Sequence, residues 1–421
     1  MQKKIAIFGA GQSGQSARRL ARSLGYSVVL YDEGGQGDAV TLSEHDLAAA
    51  DLCVFSPGFA AAHAWRRRAI QTGLPCLSEL AFAAAHWQGP IIGVTGTNGK
   101  TTLTTLLAEA LAAAGHSSVA TGNIGYPLSD AVLSDANQPG AYAVVEISSF
   151  QAELSQELAL DGLLWTNFAE DHLDRYASMA AYFEAKAQLL KCLTPGAHCV
   201  LGPELAPWMQ QQAIDCAACQ TLQGVDDLAG MLSEDSVFRR RPNVENFSLA
   251  ARWWQLSGWP LESLIAVANE SKLPAHRLSV VAEWGGVRFW NDTKATNFHA
   301  ALAAIESVGA PIVWIGGGRG KGGDVEGFAR KVAAQVDAAV LYGEMAQSLA
   351  VAMQGQLSTI VVHERFEDAV HAAAGLASSI PAANVLLSPG FASFDQFSSY
   401  SARGKMFKEL VLSLKNPQRF C

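Results

Sequence analysis

The 421-residue sequence has no apolar run of membrane-spanning length, no repeat of fixed period and no low-complexity tract. These absences exclude a transmembrane helix, a solenoid or propeller array and a disordered linker protein. Cysteine is sparse: seven residues, odd in number and scattered. That pattern speaks against a disulfide framework and for reduced thiols in a cytoplasm. One CxxC stands at residues 216–219 without a second pair, or histidines, at zinc spacing. It is expected to be a helical surface turn. Charge is low at 16%, with a net charge of −9. That disfavours a nucleic-acid backbone as main partner, but not a small anion held by a local site. The start, MQKKIAIFGAG, lacks the long apolar core of a signal peptide and reads as a strand entering a turn. Membrane insertion is not expected.

What is present is apolar residues, at 49%, in a chain long enough for two or three domains. They recur as strand, glycine-rich turn and helix, the mark of parallel α/β units. The first block runs over residues 1–89, with strands at 4–8, 27–31 and 51–55 and a helix at 13–24. The second, 90–275, has strands at 91–95, 142–147 and 163–167. The third, 276–421, has strands at 287–291, 312–315, 338–342, 359–362 and 385–387. Three α/β domains are expected.

Two glycine-rich turns follow strands and open helices. The first, GAGQSG at residues 9–14, includes Gly11, Gln12 and Ser13, and Asp32 ends the next strand. This is a dinucleotide fingerprint in its proper context. Three readings stand: an NAD-type site, a site for another nucleotide diphosphate, or a tight structural turn. The strand at 51–55 is likewise stopped by a turn, Ser56-Pro57-Gly58. The second loop, TGTNGKT at residues 95–101, is more specific. Backbone N–H groups of Gly96, Thr97, Asn98 and Gly99 can cradle phosphates, Lys100 can reach the β/γ-phosphates, and Thr101, followed by Thr102, can ligand Mg²⁺. Val94 stands where the first glycine of the usual pattern would be.

Acidic and polar groups gather at other strand ends. Glu146 closes an apolar strand, where a carboxylate needs water, a cap or a cation. His172, in DHLD at 171–174, lies beyond a strand C-terminus, where α/β ligands bind. Lys186 by its spacing is a solvated helix lysine. The arginine runs 66–68 and 239–241 read as solvated faces. In the third block, AHR (275–277), NDTKATN (291–297), GGGRGKG (316–322) and SPGFASFDQF (388–397) suggest one anion-binding rim.

Taken together, TGTNGKT, EISSFQ, NFAEDHLDR, HR, NDTKATN and SPGFASFDQF, in this order, resemble the Mur ligases of bacterial cell-wall synthesis. The resemblance spans nearly the whole chain. It implies a Rossmann-like N-terminal domain that holds a UDP precursor rather than NAD, a P-loop ATPase domain with a mainly parallel sheet, and a Rossmann-like C-terminal domain that brings the amino acid. The partners implied are UDP-N-acetylmuramoyl-L-alanine and D-glutamate, and a monomer is expected. ATP and two Mg²⁺ are the implied cofactors. Lys100, His172 and Lys186 match catalytic positions; Thr101, Glu146, His172 and Lys186 match metal positions, Lys186 as a carbamate. Asn123, Ser148, Ser149 and Gln151 match the muramyl region. Asn243, Asn246, Arg277, Asp292 and Lys294 match nucleotide contacts. Thr296, Lys321, Ser393 and Phe394 match the D-glutamate pocket.

The chain also departs from the family pattern. Glu33-Gly34 lacks the arginine often found after the aspartate, Gly390-Phe391 replaces the usual Ala-Cys, and Tyr400 stands where phenylalanine is common. Residues 200–245 look compressed, so strands of the central domain are expected to be missing there. A relative adding another amino acid or working on another carboxylate, such as a folylpolyglutamate synthetase, an NAD-dependent oxidoreductase and a non-catalytic nucleotide-dependent binding protein are the competing readings. The missing DNPR motif disfavours the diaminopimelate-adding relative, and an oxidoreductase leaves the second phosphate loop unexplained.

Overall fold

A computed structural model describes residues 2–223, 227–272 and 276–415. Residue 275, at the expected second boundary, and residues 416–421 lie outside the described residues. The chain packs as two compact units: residues 1–168, 178–239 and 243–271 form the first, and residues 169–177, 240–242 and 272–421 the second.

The first unit contains two sheets. In one, β1 (Lys4–Phe8), β2 (Ser27–Tyr31), β3 (Leu52–Phe55) and β4 (Cys76–Ser78) are parallel in the order β2-β1-β3-β4. In the other, β5 (Ile91–Thr95), β6 (Ser118–Gly122), β7 (Tyr142–Glu146), β8 (Leu160–Trp165), β9 (Leu193–Leu201) and β10 (Cys219–Thr221) are parallel in the order β10-β9-β8-β5-β7-β6. The second unit has one sheet, β11-β12-β16-β13-β14-β15. Its strands are β11 (Ser279–Trp284), β12 (Val287–Asn291), β13 (Ile312–Gly317), β14 (Ala338–Tyr342), β15 (Ile360–His363) and β16 (Asn384–Gly390); β11 alone pairs antiparallel.

Central strands of this kind are buried on both faces, so they are continuous apolar runs. Ile91, Ile92 and Val94 of β5 and every residue of β14 are buried. The helix Lys100–Ala113 follows β5 and drives Leu103, Leu106, Leu107, Ala110 and Leu111 into a core shared with Phe247, Trp253 and Trp254. In the second unit helices cover both faces of the sheet: Phe366, Val370 and Phe407 on one side, Ile305, Phe328 and Leu349 on the other.

In each sheet the direction of winding reverses at one strand: β1, β5 and β13 have later strands added on both sides. Ligands of open α/β sheets bind in the crevice beyond the carboxyl end of such a strand. The glycine-rich turns 9–14 and 96–99 follow β1 and β5, and the glycine-rich stretch 316–322 starts in the last two residues of β13 and runs on beyond it.

Two expectations are overturned here. Arg66 is not on a solvated face: it is buried, donates to Phe59 O at 2.9 Å, and pairs with Glu153 at 2.5 Å. The helix Ala64–Gln71 lies against the sheet with Trp65 and Ala69, so its arginine is covered and needs a carboxylate. The CxxC is not helical: it forms a turn opening into β10, and Cys216 and Cys219 are joined in a disulfide. In the compressed stretch 200–245, β9 ends at Leu201 and the three-residue β10 is the one strand that begins there among the described residues.

Candidate functional site

The phosphate loop owes its shape to two glycines. Gly96 has φ +138° and Gly99 φ +84°, conformations that side chains rarely adopt. A Cβ on Gly96 would lie 1.9 Å from Thr166 Oγ1, and one on Gly99 would lie 2.4 Å from Asn246 Oδ1. The loop is pinned from β8: Thr97 N–H donates to Asn167 O at 3.1 Å, Asn98 N–H to Asn167 Oδ1 at 2.9 Å, and Thr166 Oγ1 to Asn98 O at 2.6 Å. Lys100 opens the helix and donates to Gly96 O and Thr97 O, both at 2.9 Å. Thr101 follows on the first turn, and Thr102 is buried beneath it.

Lys186 corrects its spacing-based reading. The side chain is buried and Nζ donates to Gly96 O at 2.8 Å, with the Tyr182 ring 5.0 Å away. Glu146, the last residue of β7, is buried. Its Oε1 accepts from Asn123 Nδ2 at 2.9 Å, and its Oε2 has no hydrogen-bond partner among the described residues. A buried carboxylate oxygen without a donor fits a cation. Ser148 and Gln151 form a capping box that starts the next short helix, and Ser149 Oγ is also buried without a partner among the described residues. Of the nucleotide candidates in this unit, Asn246 faces the loop at Gly99, whereas Asn243 Nδ2 is 3.4 Å from Val237 O.

The first glycine turn closes differently. Ala10 N–H donates to Asp32 Oδ1 at 3.0 Å and Gln36 N–H to Asp32 Oδ2 at 3.2 Å; these backbone donors hold the carboxyl below its ordinary range. Gly11, Gln12, Ser13, Asp32 and Gly58, with Glu33 and His63, line a cavity of about 500 Å³. Gln12 Nε2 also reaches Gly125 O at 2.5 Å.

The second unit gathers its own charged cluster. Lys321 Nζ lies 3.0 Å from Asp171 Oδ1 and 3.4 Å from Thr296 Oγ1, and Asn297 Nδ2 donates to Asp171 Oδ2 at 3.1 Å. Burial pushes the Asp171 carboxyl up, but the Lys321 ammonium and its hydrogen bonds prevail and hold it below its ordinary value. Phe298 and Phe391 wall this cluster, and Phe328 packs against both, stacked on Phe298 at 4.4 Å. His172, next to Asp171, has φ +57° and donates its N–H to Asp171 Oδ1 at 2.9 Å.

Asp292 is buried at the end of β12, accepting from Ser388 Oγ at 2.8 Å and from Leu278 N–H at 3.1 Å. Burial pushes its carboxyl up to about 7, against those donors and the nearby Arg277 charge. Lys294 Nζ lies 5.6 Å from the centre of the Tyr400 ring. Ser393 is buried, while Phe394 is 61% exposed. Residues passed over in the sequence hold these loops together. Arg403, fully buried, donates to Thr293 Oγ1 at 2.8 Å, Thr293 O at 3.0 Å, Tyr342 Oη at 3.0 Å and Phe391 O at 3.2 Å. Nothing in its local sequence separates it from a surface helix arginine. Thr166 and Asn167 were legible only as the end of a strand.

Two family models match this chain: the Mur ligase middle domain over residues 94–218 and the Mur ligase, glutamate ligase domain over residues 276–390. The chain is 36% identical to the UDP-N-acetylmuramoylalanine--D-glutamate ligase of Pelotomaculum thermopropionicum, covering 98% of each chain. The chain belongs to the Mur ligase family. The ligase of the same name from Trichormus variabilis is 32% identical, over 98% of this chain and 99% of its own. Among solved structures, the MurF ligase of Thermotoga maritima in complex with ADP superposes with a TM-score of 0.62 at 16% identity, over 98% of this chain and 96% of its own. Folylpolyglutamate synthase of Mycobacterium tuberculosis complexed with ADP gives 0.58 at 16% identity, over 78% and 92%. At such identity these two share the fold. As a Mur ligase, the protein is an ATP-dependent amide-bond ligase with an α/β fold. No helix among its described residues is long and apolar enough to cross a membrane.

Proposed function

We propose that this Mur ligase joins D-glutamate to the L-alanine carboxylate of UDP-N-acetylmuramoyl-L-alanine, converting ATP to ADP and phosphate, in the cytoplasm and as a monomer. Likeness over the full length to D-glutamate ligases supports that choice within the family. The observation that carries the chemistry is the phosphate loop: Lys100, Lys186 and Glu146, whose Oε2 has no hydrogen-bond partner among the described residues, surround the end of β5 and its neighbour β7.

A carboxylate is a poor acyl donor, because oxide would have to leave. Transfer of the γ-phosphoryl group to the alanine carboxylate gives an acyl phosphate, and the neutral amine of D-glutamate then displaces phosphate. Lys100 would follow the phosphoryl charge, while the glycines fix backbone donors around it. Mg²⁺ would be held at two sites by Thr101, Glu146, His172 and Lys186, and when bound it would neutralise phosphate charge. Lys186 would serve as a carbamate, an anion; its remaining N–H can keep the bond to Gly96 O. The cavity at Gly11, Gln12, Ser13, Asp32 and Gly58 would take the UDP moiety, and Asn123, Ser148, Ser149 and Gln151 the muramyl part. Asn243, Asn246, Arg277, Asp292 and Lys294 would contact the nucleotide. Lys321, with Thr296, Ser393 and Phe394, would receive D-glutamate, a substrate carboxylate competing with Asp171 for the ammonium. Residues 1–89, 90–275 and 276–421 are the proposed domains.

The test is phosphate release with ATP, Mg²⁺ and UDP-N-acetylmuramoyl-L-alanine, each candidate amino acid being supplied separately. Release and a new amide only with D-glutamate supports the reading. Release with another amino acid keeps the ligase and moves its specificity.

A further inference from the structure

Three cysteines meet at the edge of the β5-containing sheet, away from the phosphate loop. Strand β10 pairs with β9 so that Cys219 stands beside Cys199. The turn before β10 brings Cys216 back to the same place: Cys219 N–H donates to Cys216 O at 3.0 Å, and Cys199 N–H to Ala218 O at 3.2 Å. The three sulfurs lie within 4.8 Å of one another. Cys199 is fully buried; Cys216 and Cys219, joined as a disulfide, are half-buried.

We propose that, once this disulfide is reduced, Cys199, Cys216 and Cys219 bind a thiophilic d¹⁰ cation of the Zn²⁺ type and so clasp β10 to β9. A CxxC turn offers two thiolates to one ion, and the neighbouring strand supplies the third. Sequence spacing hid the third ligand, because Cys199 lies a strand away. A dithiol reductant delivers two electrons and two protons to the Cys216–Cys219 bond and leaves as its own disulfide. The cation then displaces the thiol protons into solvent. Burial pushes the Cys199 thiol up to about 12, so without a cation it stays protonated; coordination deprotonates it. Three thiolates leave a fourth position, open to water on the half-buried side. The gain falls on a weak element. Strand β10 has three residues and one neighbour in the sheet, and is otherwise tied by Gln220 Oε1 to Arg252 at 2.7 Å.

The probe is Co²⁺, added to the reduced full-length protein and then displaced by Zn²⁺. The expected result is one equivalent bound with a sulfur-to-cobalt charge-transfer band, erased by Zn²⁺, which also raises Tm by several degrees. Cys199→Ala, and Cys216→Ser with Cys219→Ser, should each lose the band while keeping ligase activity. Should Cys199→Ala fail to fold, proton counting replaces it: Zn²⁺ binding to the reduced protein at neutral pH should release about three protons, one from each thiol. A band that survives in the Cys216/Cys219 double variant, a band that survives in Cys199→Ala, release of clearly fewer than three protons, or no binding by the reduced protein overturns the proposal.

Discussion

Two glycine turns of the first unit look alike in sequence and differ in what they can do. Both follow the strand at which their sheet reverses direction, and both open a helix. The turn after β1 contains no cation and is closed by a carboxylate, Asp32, that accepts Ala10 N–H. The loop after β5 carries Lys100, has Lys186 on its Gly96 carbonyl, and is walled by Asn246. The first can seat a diphosphate that does not react, through backbone donors and a helix N-terminus. The second sets Lys100 where a phosphoryl group would move, with Lys186 and the Glu146 carboxylate beside it where a cation would be held. The shared backbone motif thus provides the seat, while side chains arriving from other elements decide whether chemistry follows.

The sharpest way to break that comparison is Lys100→Ala. ADP formation should fall by about 1,000-fold, the upper range for loss of one charged transition-state donor, while binding of the UDP precursor, read by calorimetry, is unchanged. Loss of precursor binding instead would mean the two turns are not independent. Gly99→Ala tests the wall: its Cβ would meet Asn246 Oδ1 at 2.4 Å. ATP turnover should drop about 100-fold, as for other small misplacements of a reacting group; a wild-type rate would show that Asn246 yields at no cost.

Next comes Lys321→Met in the second unit. The KM for D-glutamate should rise about tenfold or more, as for loss of a charged hydrogen bond, with the KM for ATP held. An equal rise in both would remove Lys321 from the amino-acid pocket. The smallest effect concerns Asp292, whose carboxyl is pushed up to about 7. The folded state binds this proton more tightly than the unfolded chain does. Its stabilisation is therefore complete below about pH 4, the ordinary aspartate value, and is lost as pH rises through about 7. Tm of the wild type should fall relative to Asp292→Asn across that window, and parallel Tm curves would refute the assignment.

How much of this was legible beforehand varies by element. The strands 91–95 and 338–342 were read to the residue because a fully buried parallel strand is a short apolar run bounded by turn residues, and 4–8, 27–31 and 287–291 were read to the residue although each is exposed in part. Strands β4, β6, β9, β10 and β11 escaped. They are peripheral or mixed in polarity, and β9 even includes Pro195 and Gly196. Lys100 and the glycines around it were legible because their chemistry is local. Lys186 was legible by family resemblance alone, since its burial comes from a distant loop. Arg403, Thr166 and Asn167 were missed for the same reason, and Arg66 was misread.

The sequence by itself determined the α/β class, the three switch-strand turns and the identity of the phosphate loop, all encoded in contiguous residues with a fixed local geometry. Only the tertiary structure decided which carboxylate oxygen is left without a donor among the described residues, which lysine is buried against a carbonyl, and which cysteine joins the CxxC. Each depends on strand order and on side chains brought together from distant segments, and desolvation acts on a group only through the neighbours that cover it.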